Sequence, residues 1–336
     1  MGMTEGEITT LSDDAATTRT TIVVTIPFPP ELLERLGRRF PTVEVVGPVT
    51  DELAGVLTSA DAVVGWHLSD EDLAAAKRLR WLHSTGAGVD RTLTPALVAR
   101  GITVTNSSGL HADNIAEHLL AMMLAFGRGL PDLIRAQIRR TWLDEELDGR
   151  VFELGGQTLL LVGLGDIALA TAPRAAALGM RVVGVRRRSD RPVPPGLDAV
   201  FGVERLPELI GDADHVAICL PLTARTRGLF DAKLLARMRP SAYLYNIGRG
   251  PIVDQDALIA ALRDGRLAGA GLDVTDPEPL PAESPLWELE NVLITAHTSG
   301  RTPRYLERAY AILEDNVARF VNGDPLRNVV DQSEGY

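Results

Sequence analysis

The 336-residue chain carries a formal net charge of −11, with 45% hydrophobic and 24% charged residues, a length that predicts two domains and an apolar share sufficient for ordinary cores. Its acidity argues against general nucleic-acid binding, so an anionic ligand must be drawn by local arginines and not by the overall field. No apolar run approaches the roughly 20 residues that span a bilayer and no basic-then-apolar signal is present. The single cysteine, Cys219, excludes an internal disulfide and fits a reducing cytoplasm. Six histidines and one cysteine show no metal-ligand spacing, so no metal site is expected.

Residues 1–20, rich in Thr, Asp and Glu, read as a mobile tail. Strands are predicted over 22–26, 43–46, 62–66, 81–84 and 102–105, and helices over 30–40, 51–59, 69–79 and 95–100. Such βα alternation predicts a doubly wound parallel sheet that binds ligands at the carboxyl ends of its strands. One of those ends holds residues 84–90, Ser-Thr-Gly-Ala-Gly-Val-Asp, a flexible loop whose N–H groups can receive a small carboxylate. Composition alone describes a structural turn there equally well. Asn106 to Gly109 ends the fifth strand, and 111–127 reads as a long helix with an apolar face that links two domains. A second helix over 131–142 carries Arg135, Arg139 and Arg140, most simply a solvated face.

Residues 158–189 read as strand, glycine turn, helix and second strand. The unbroken apolar run 158–162 suits a strand buried on both faces. Gly163 and Gly165 permit a tight turn and let backbone N–H groups approach a pyrophosphate at the following helix N-terminus, while Ala168 is small enough for the helix to lie on the strand. The second strand, 181–185, is followed by Arg186, 23 positions after Gly163. There an acid usually reads the ribose of NAD, whereas an arginine accommodates a 2′-phosphate. Arg186, Arg187, Arg188 and Ser189 therefore favour NADP, with a solvated basic turn as the alternative. Pro173, inside the helix, predicts a kink against Leu169.

Farther on, Pro192, Pro194, Pro195 and Gly196 mark a loop. Helices are predicted over 206–211, 230–238 and 254–264, and strands over 215–220, 242–246, 268–273 and 292–295. Thr302 is expected to cap a final helix, with Pro303 at its first position and Gly323 after its end, returning to the first domain. Three groups capable of chemistry fall at strand ends or adjoining loops of the second half: Arg249, Glu278 and His297. Arg249 offers a planar fork for a carboxylate, although a structural ion pair would use it equally. His297 can move a proton near neutral pH, and a neighbouring carboxylate such as Glu278 would orient the imidazole. Spacing does not establish that pairing.

Residues 163–167 (Gly-Leu-Gly-Asp-Ile), 220–228, 246–250 (Asn-Ile-Gly-Arg-Gly), 271–274 (Gly-Leu-Asp-Val), 277–281 and 295–300 (Thr-Ala-His-Thr-Ser-Gly) resemble, in order, the successive signatures of the D-isomer specific 2-hydroxyacid dehydrogenases, over about 21–330. The resemblance implies an α/β architecture of two doubly wound parallel-sheet domains. One is a flavodoxin-like substrate domain over 21–110 plus 301–336, and the other a Rossmann cofactor domain over 111–300. It implies that Arg249 binds the substrate carboxylate and carbonyl, His297 is the acid/base, Glu278 tunes that histidine, and Ala87 and Gly88 hold the carboxylate through backbone N–H groups. It further implies a cofactor site of Gly163, Gly165, Asp166, Ile167, Arg186, Arg187, Arg188, Ser189, Cys219, Leu220, Pro221, Thr226, Ile247, Gly248, Asp273, Ser299 and Gly300, with Asp273 against the nicotinamide amide or its ribose.

Departures qualify the resemblance. Arg186 replaces the acid of NAD-using members, as in the NADP-preferring glyoxylate and hydroxypyruvate reductases. Ala296 replaces the proline that usually precedes the histidine, and Pro173 is unusual in its helix. No regulatory domain like that of many phosphoglycerate dehydrogenases is expected after the last helix. Glu278 stands where the related formate dehydrogenases have glutamine. The implied activity is hydride transfer between NADP(H), with NAD(H) as the alternative, and a small 2-keto or D-2-hydroxy acid such as glyoxylate or hydroxypyruvate. Rival readings are a dinucleotide-sensing corepressor without turnover and a phosphoglycerate dehydrogenase-like enzyme without the regulatory domain. A homodimer with the 111–127 helix near its interface is expected, and pocket walls are sought in Trp66, His67 and Trp142.

Overall fold

The computed structural model describes residues 19–49, 53–188 and 190–336. All but the last two residues of the expected tail lie outside this range, as do the start of the helix expected over 51–59 and Ser189. Two all-parallel sheets carry the fold. In chain order the first half contains β1 (Thr20–Val24), α1 (Pro30–Arg39), β2 (Val43–Val46), α2 (Leu53–Leu57), β3 (Ala62–Val64), α3 (Asp70–Ala75), β4 (Trp81–His83), α4 (Pro95–Ala99) and β5 (Thr103–Thr105). Its strands stand in the order β2-β1-β3-β4-β5, the flavodoxin-like order.

After α5 (Ala112–Gly127) and α6 (Leu130–Arg139) come β6 (Thr158–Val162), α7 (Asp166–Ala177), β7 (Arg181–Val185), β8 (Ala199–Phe201), α8 (Leu206–Leu209), β9 (His215–Ile218), α9 (Ala232–Leu235), β10 (Tyr243–Asn246), α10 (Gln255–Arg263), β11 (Gly269–Leu272), β12 (Val292–Ile294) and α11 (Tyr305–Asn322). The second sheet runs β12-β11-β10-β9-β6-β7-β8. Its order reverses at β6, which has β9 on one side and β7 on the other. That switch point is where doubly wound sheets leave a crevice.

The apolar runs form strands because each feeds two cores. Leu160 and Val162 of β6 join one buried cluster with Leu206, Leu234 and Leu258 from α8, α9 and α10. Leu159 and Leu161 join another with Leu119 and Met123 of α5 and Ala168 and Ala172 of α7, as the two-residue period of a strand requires. In the first sheet Val23 faces α2, α3 and α4 through Leu57, Leu73 and Leu97. Ile22 and Val24 face Leu33 and Leu36 of α1 and Tyr310, Leu313 and Val317 of α11. The last helix therefore packs on the first sheet, as expected.

Several boundaries differ from expectation, with identifiable causes. β1 begins at Thr20 because Thr20 pairs with Val43. Phe230 is not helical: it bridges Val253, and Asp231 caps the short α9 through Leu234 N–H. Thr302 accepts from Arg304 N–H, but α11 starts at Tyr305. Gly323 ends α11 at φ 73°, as predicted. The edge strand β8 was not anticipated, since the half-buried stretch Ala199–Phe201 follows a proline-rich loop. α7 stays helical through Pro173. Gly196 approaches the helix there so closely that a β-carbon on it would lie 2.4 Å from the Pro173 nitrogen, the position where proline has no N–H to present.

Candidate active site

The carboxyl ends of β6, β9 and β10 form one rim. Gly163 holds φ 97°, and a β-carbon there would sit 2.9 Å from the Cys219 carbonyl, so a side chain is excluded by both backbone and space. Gly165 precedes α7 in extended backbone. Asp166, the first residue of α7, accepts from the Ser108 hydroxyl at 2.8 Å and so ties the helix to the loop after β5. Ile167 is half-buried, and its carbonyl accepts from Thr171. A β-carbon on Gly248 would meet the Leu220 carbonyl at 2.6 Å, which brings that loop against the one after β10. The Pro221 carbonyl accepts from Thr226 Oγ1 at 2.7 Å, and Ile247 is buried beneath. Apolar surroundings push the Cys219 thiol up to about 12, leaving it an inert packing group.

The basic turn after β7 sits beside this rim. Arg186 folds onto its own loop, donating to the carbonyls of Arg191 and, at 3.0 Å, Pro192. Arg187 is exposed and ion-paired with Glu334, and Arg188 is exposed.

The groups expected to do chemistry meet near the same end of the sheet. Asn246, the last residue of β10, accepts from Gly248 N–H and donates to the Arg249 carbonyl, and so shapes the turn that carries Arg249. The guanidinium crosses to the first sheet's glycine loop, donating to Asp90 at 3.2 Å. It lies so close to Gly88 that a β-carbon there would be 1.8 Å from Nη2. Ala87 is held by Asn106, whose amide donates to its carbonyl at 2.8 Å. Gly250 packs directly on the Thr275 carbonyl, and Thr275 N–H donates to Glu278 Oε1 at 3.1 Å. Glu278 Oε2 lies 2.9 Å from His297 Nδ1, so the pairing that spacing left open is made. A carboxylate only accepts, which places a proton on Nδ1 and leaves Nε2 outside this contact. His297 holds φ 51°, fixed by its N–H donating to the Asp273 carbonyl at 2.8 Å.

Residues 120–299 match the family described as D-isomer specific 2-hydroxyacid dehydrogenase, NAD binding domain. The chain belongs to the D-isomer specific 2-hydroxyacid dehydrogenase family. It is 33% identical over 311 residues to the D-3-phosphoglycerate dehydrogenase of Mycobacterium bovis, covering 91% of this chain but 58% of that protein. The chain thus spans little more than half the length of that relative. It is 32% identical over 320 residues to the glyoxylate/hydroxypyruvate reductase B of Yersinia pestis, covering 92% and 97% respectively. A D-isomer specific 2-hydroxyacid dehydrogenase from Xanthobacter autotrophicus, solved with NADPH and MES, superposes with a TM-score of 0.81 at 31% identity, covering 95% of this chain and all of that one.

Within this 2-hydroxyacid dehydrogenase fold, several site residues escaped sequence reasoning. Asp90 lies 159 positions from Arg249, and its adjacency needs both sheets. Asp273, expected at the nicotinamide, is buried, with Oδ1 accepting from Thr295 Oγ1 at 2.7 Å and Thr298 N–H at 2.9 Å, while Ser299 donates to both oxygens. From α5, His118 reaches Thr295 and Asn114 donates to the Ser299 carbonyl. Gly300 abuts the ring of His111, whose pKa burial lowers. Trp66 bonds Thr85, and His67 bonds the Arg91 carbonyl, near the glycine loop. Trp142 is 89% exposed and stands apart, beside Asp144 and Glu146. A cavity of about 550 Å³ opens at the opposite, amino end of the second sheet, among Phe152, Gln157, Asp214 and Tyr243. Among the described residues no group of three or more His, Cys, Asp or Glu could hold a metal ion, and no helix is long and apolar enough to cross a membrane.

Proposed function

We propose that this chain reduces small 2-keto acids to D-2-hydroxy acids with NADPH, NADH being the weaker donor. The observation that carries this reading is the contact of His297 Nδ1 with Glu278 at 2.9 Å, in a site whose Arg249 lies against Gly88 of the opposite domain. The residues suit a dinucleotide: a glycine cradle at Gly163 that a β-carbon would fill, the N-terminus of a 12-residue helix and a basic turn after β7. Gly163, Gly165 and the first turn of α7 would take the pyrophosphate. Arg187 and Arg188, with Arg186 shaping the turn, would take the 2′-phosphate. When bound, the cofactor supplies the hydride.

The Arg249 fork holds the substrate carboxylate and polarises the carbonyl, aided by N–H groups of Ala87 and Gly88. Glu278 fixes the imidazole so that His297 Nε2 delivers a proton to the carbonyl oxygen, and accepts one in the reverse direction. We assign Asp273 a positioning role, because the hydrogen bonds it accepts tie down both sides of His297. Leu130, Ile134 and Ile138 expose apolar surface along α6, which supports a homodimer formed around α5 and α6. The single cysteine supports a cytoplasmic setting.

Steady-state oxidation of NADPH and NADH with glyoxylate, hydroxypyruvate, 3-phosphohydroxypyruvate and larger keto acids tests the reading. Turnover with small keto acids and a higher kcat/KM for NADPH is expected. Tight dinucleotide binding without turnover of any of them would replace it with a sensor, and preference for the phosphorylated acid would move it to phosphoglycerate chemistry.

A further inference from the structure

Residues 330–336, which follow α11, cross from the first sheet to the loops of the second. Val330 N–H donates to the Val104 carbonyl at 2.9 Å and the Gln332 amide to the Ile102 carbonyl at 2.6 Å, which anchors the chain on the first sheet. Asp331 then gathers residues 331–336 into a knot: its carbonyl accepts from Glu334 and Gly335 N–H, its carboxylate accepts from Ser333, and its own N–H donates to the main-chain oxygen of Tyr336. This knot lands on the second domain. Gly335 packs against Thr223 of the loop after β9, and the Tyr336 ring lies 5.1 Å from the Arg187 guanidinium. The Glu334 carboxylate accepts from Arg187 and from Arg225, joining the loops that follow β7 and β9. One acid delivered by the first domain thus neutralises two cations at the edge of the proposed cofactor crevice, one of them in the turn that replaces the usual ribose-reading acid.

We propose that Glu334 is a cofactor-specificity residue, its carboxylate occupying the cation site that a ribose 2′-phosphate needs and so restraining the preference for NADP over NAD. The inference rests on the dinucleotide reading above. A phosphate binding Arg187 must displace this carboxylate, whereas a 2′-hydroxyl leaves it in place. The counter-ion therefore opposes NADP selectively. Because the two arginine side chains are 45% and 64% exposed, the effect is modest, about three- to tenfold for two exposed pairs.

Calorimetric titration of the full chain with 2′,5′-ADP and with ADP reads this without turnover. Glu334→Gln should tighten 2′,5′-ADP by about three- to tenfold and leave ADP unchanged, Glu334→Asp should restore the wild-type ratio, and Arg187→Gln should weaken 2′,5′-ADP alone. A Glu334→Gln variant that shifts both nucleotides equally, or neither, overturns the proposal by making the contact purely structural. If neither nucleotide binds the wild-type protein, the dinucleotide reading fails and takes this inference with it.

Discussion

At Asp273 a single buried carboxylate accepts from four donors, the Thr295 hydroxyl, the Thr298 N–H and the N–H and hydroxyl of Ser299, while the distant His118 stands 3.8 Å away and bonds Thr295. Removing it leaves backbone and hydroxyl donors without partners, and unsatisfied buried groups cost about 1–3 kcal/mol each. Asp273→Ala should lower the unfolding free energy by roughly 3 kcal/mol or more in urea denaturation and depress turnover by releasing the His297 loop. A fully stable variant that loses only cofactor affinity would return Asp273 to the nicotinamide. Arg249 and His297 were legible because each follows a predicted strand, 242–246 and 292–295, whereas Glu278 stood in a proline-stiffened loop and the role of Asp273 came from the family resemblance alone. The sequence could not show that Asp90 pairs with Arg249, since only the docking of two sheets makes them neighbours.

At the scale of elements, the strands read best were those with uninterrupted apolar runs. β6 and β7 match their expected bounds residue for residue, because burial on both faces leaves no polar alternation to blur the ends. The short helices α3, α8 and α9 are shorter than their expected spans; at α9 the Phe230 bridge and the Asp231 N-cap delay the start to Ala232. The glycine loop after β4 offers a sharper test. Gly88→Ala forces the Arg249 guanidinium aside, because its β-carbon would overlap Nη2 at the far end of a flexible side chain. Stability should hardly change, while misplacing the fork by about 1 Å should cost on the order of 100-fold in kcat/KM for the keto acid. Unaltered kinetics would show that Arg249 does not work from this position.

On the scale of the whole molecule, each domain carries a buried histidine. Burial lowers His83 to about 4, where it accepts or donates only to Thr105, and lowers His215 to about 4 between Gln157 and Tyr245. A base whose folded pKa is depressed stays neutral while the unfolded chain takes up its proton below about 6.5. Stability is therefore complete above that pH and falls as pH drops from 6.5 towards 4, by up to on the order of 3 kcal/mol per histidine. Urea denaturation between pH 7 and 4.5 should show this loss, and His215→Gln should flatten part of the slope even though it destabilises the fold. A slope unchanged by the substitution would mean that His215 does not stay neutral.

The two domains meet where the glycine loop of one covers Arg249 of the other, which makes the His297–Glu278 pair the centre of the proposed chemistry. The most direct test compares His297→Ala with the wild type in kcat/KM for the best keto acid and in the dissociation constant for NADPH. A loss of about 10²–10⁴-fold in kcat/KM with NADPH affinity retained is the predicted result, and near-normal turnover would contradict it.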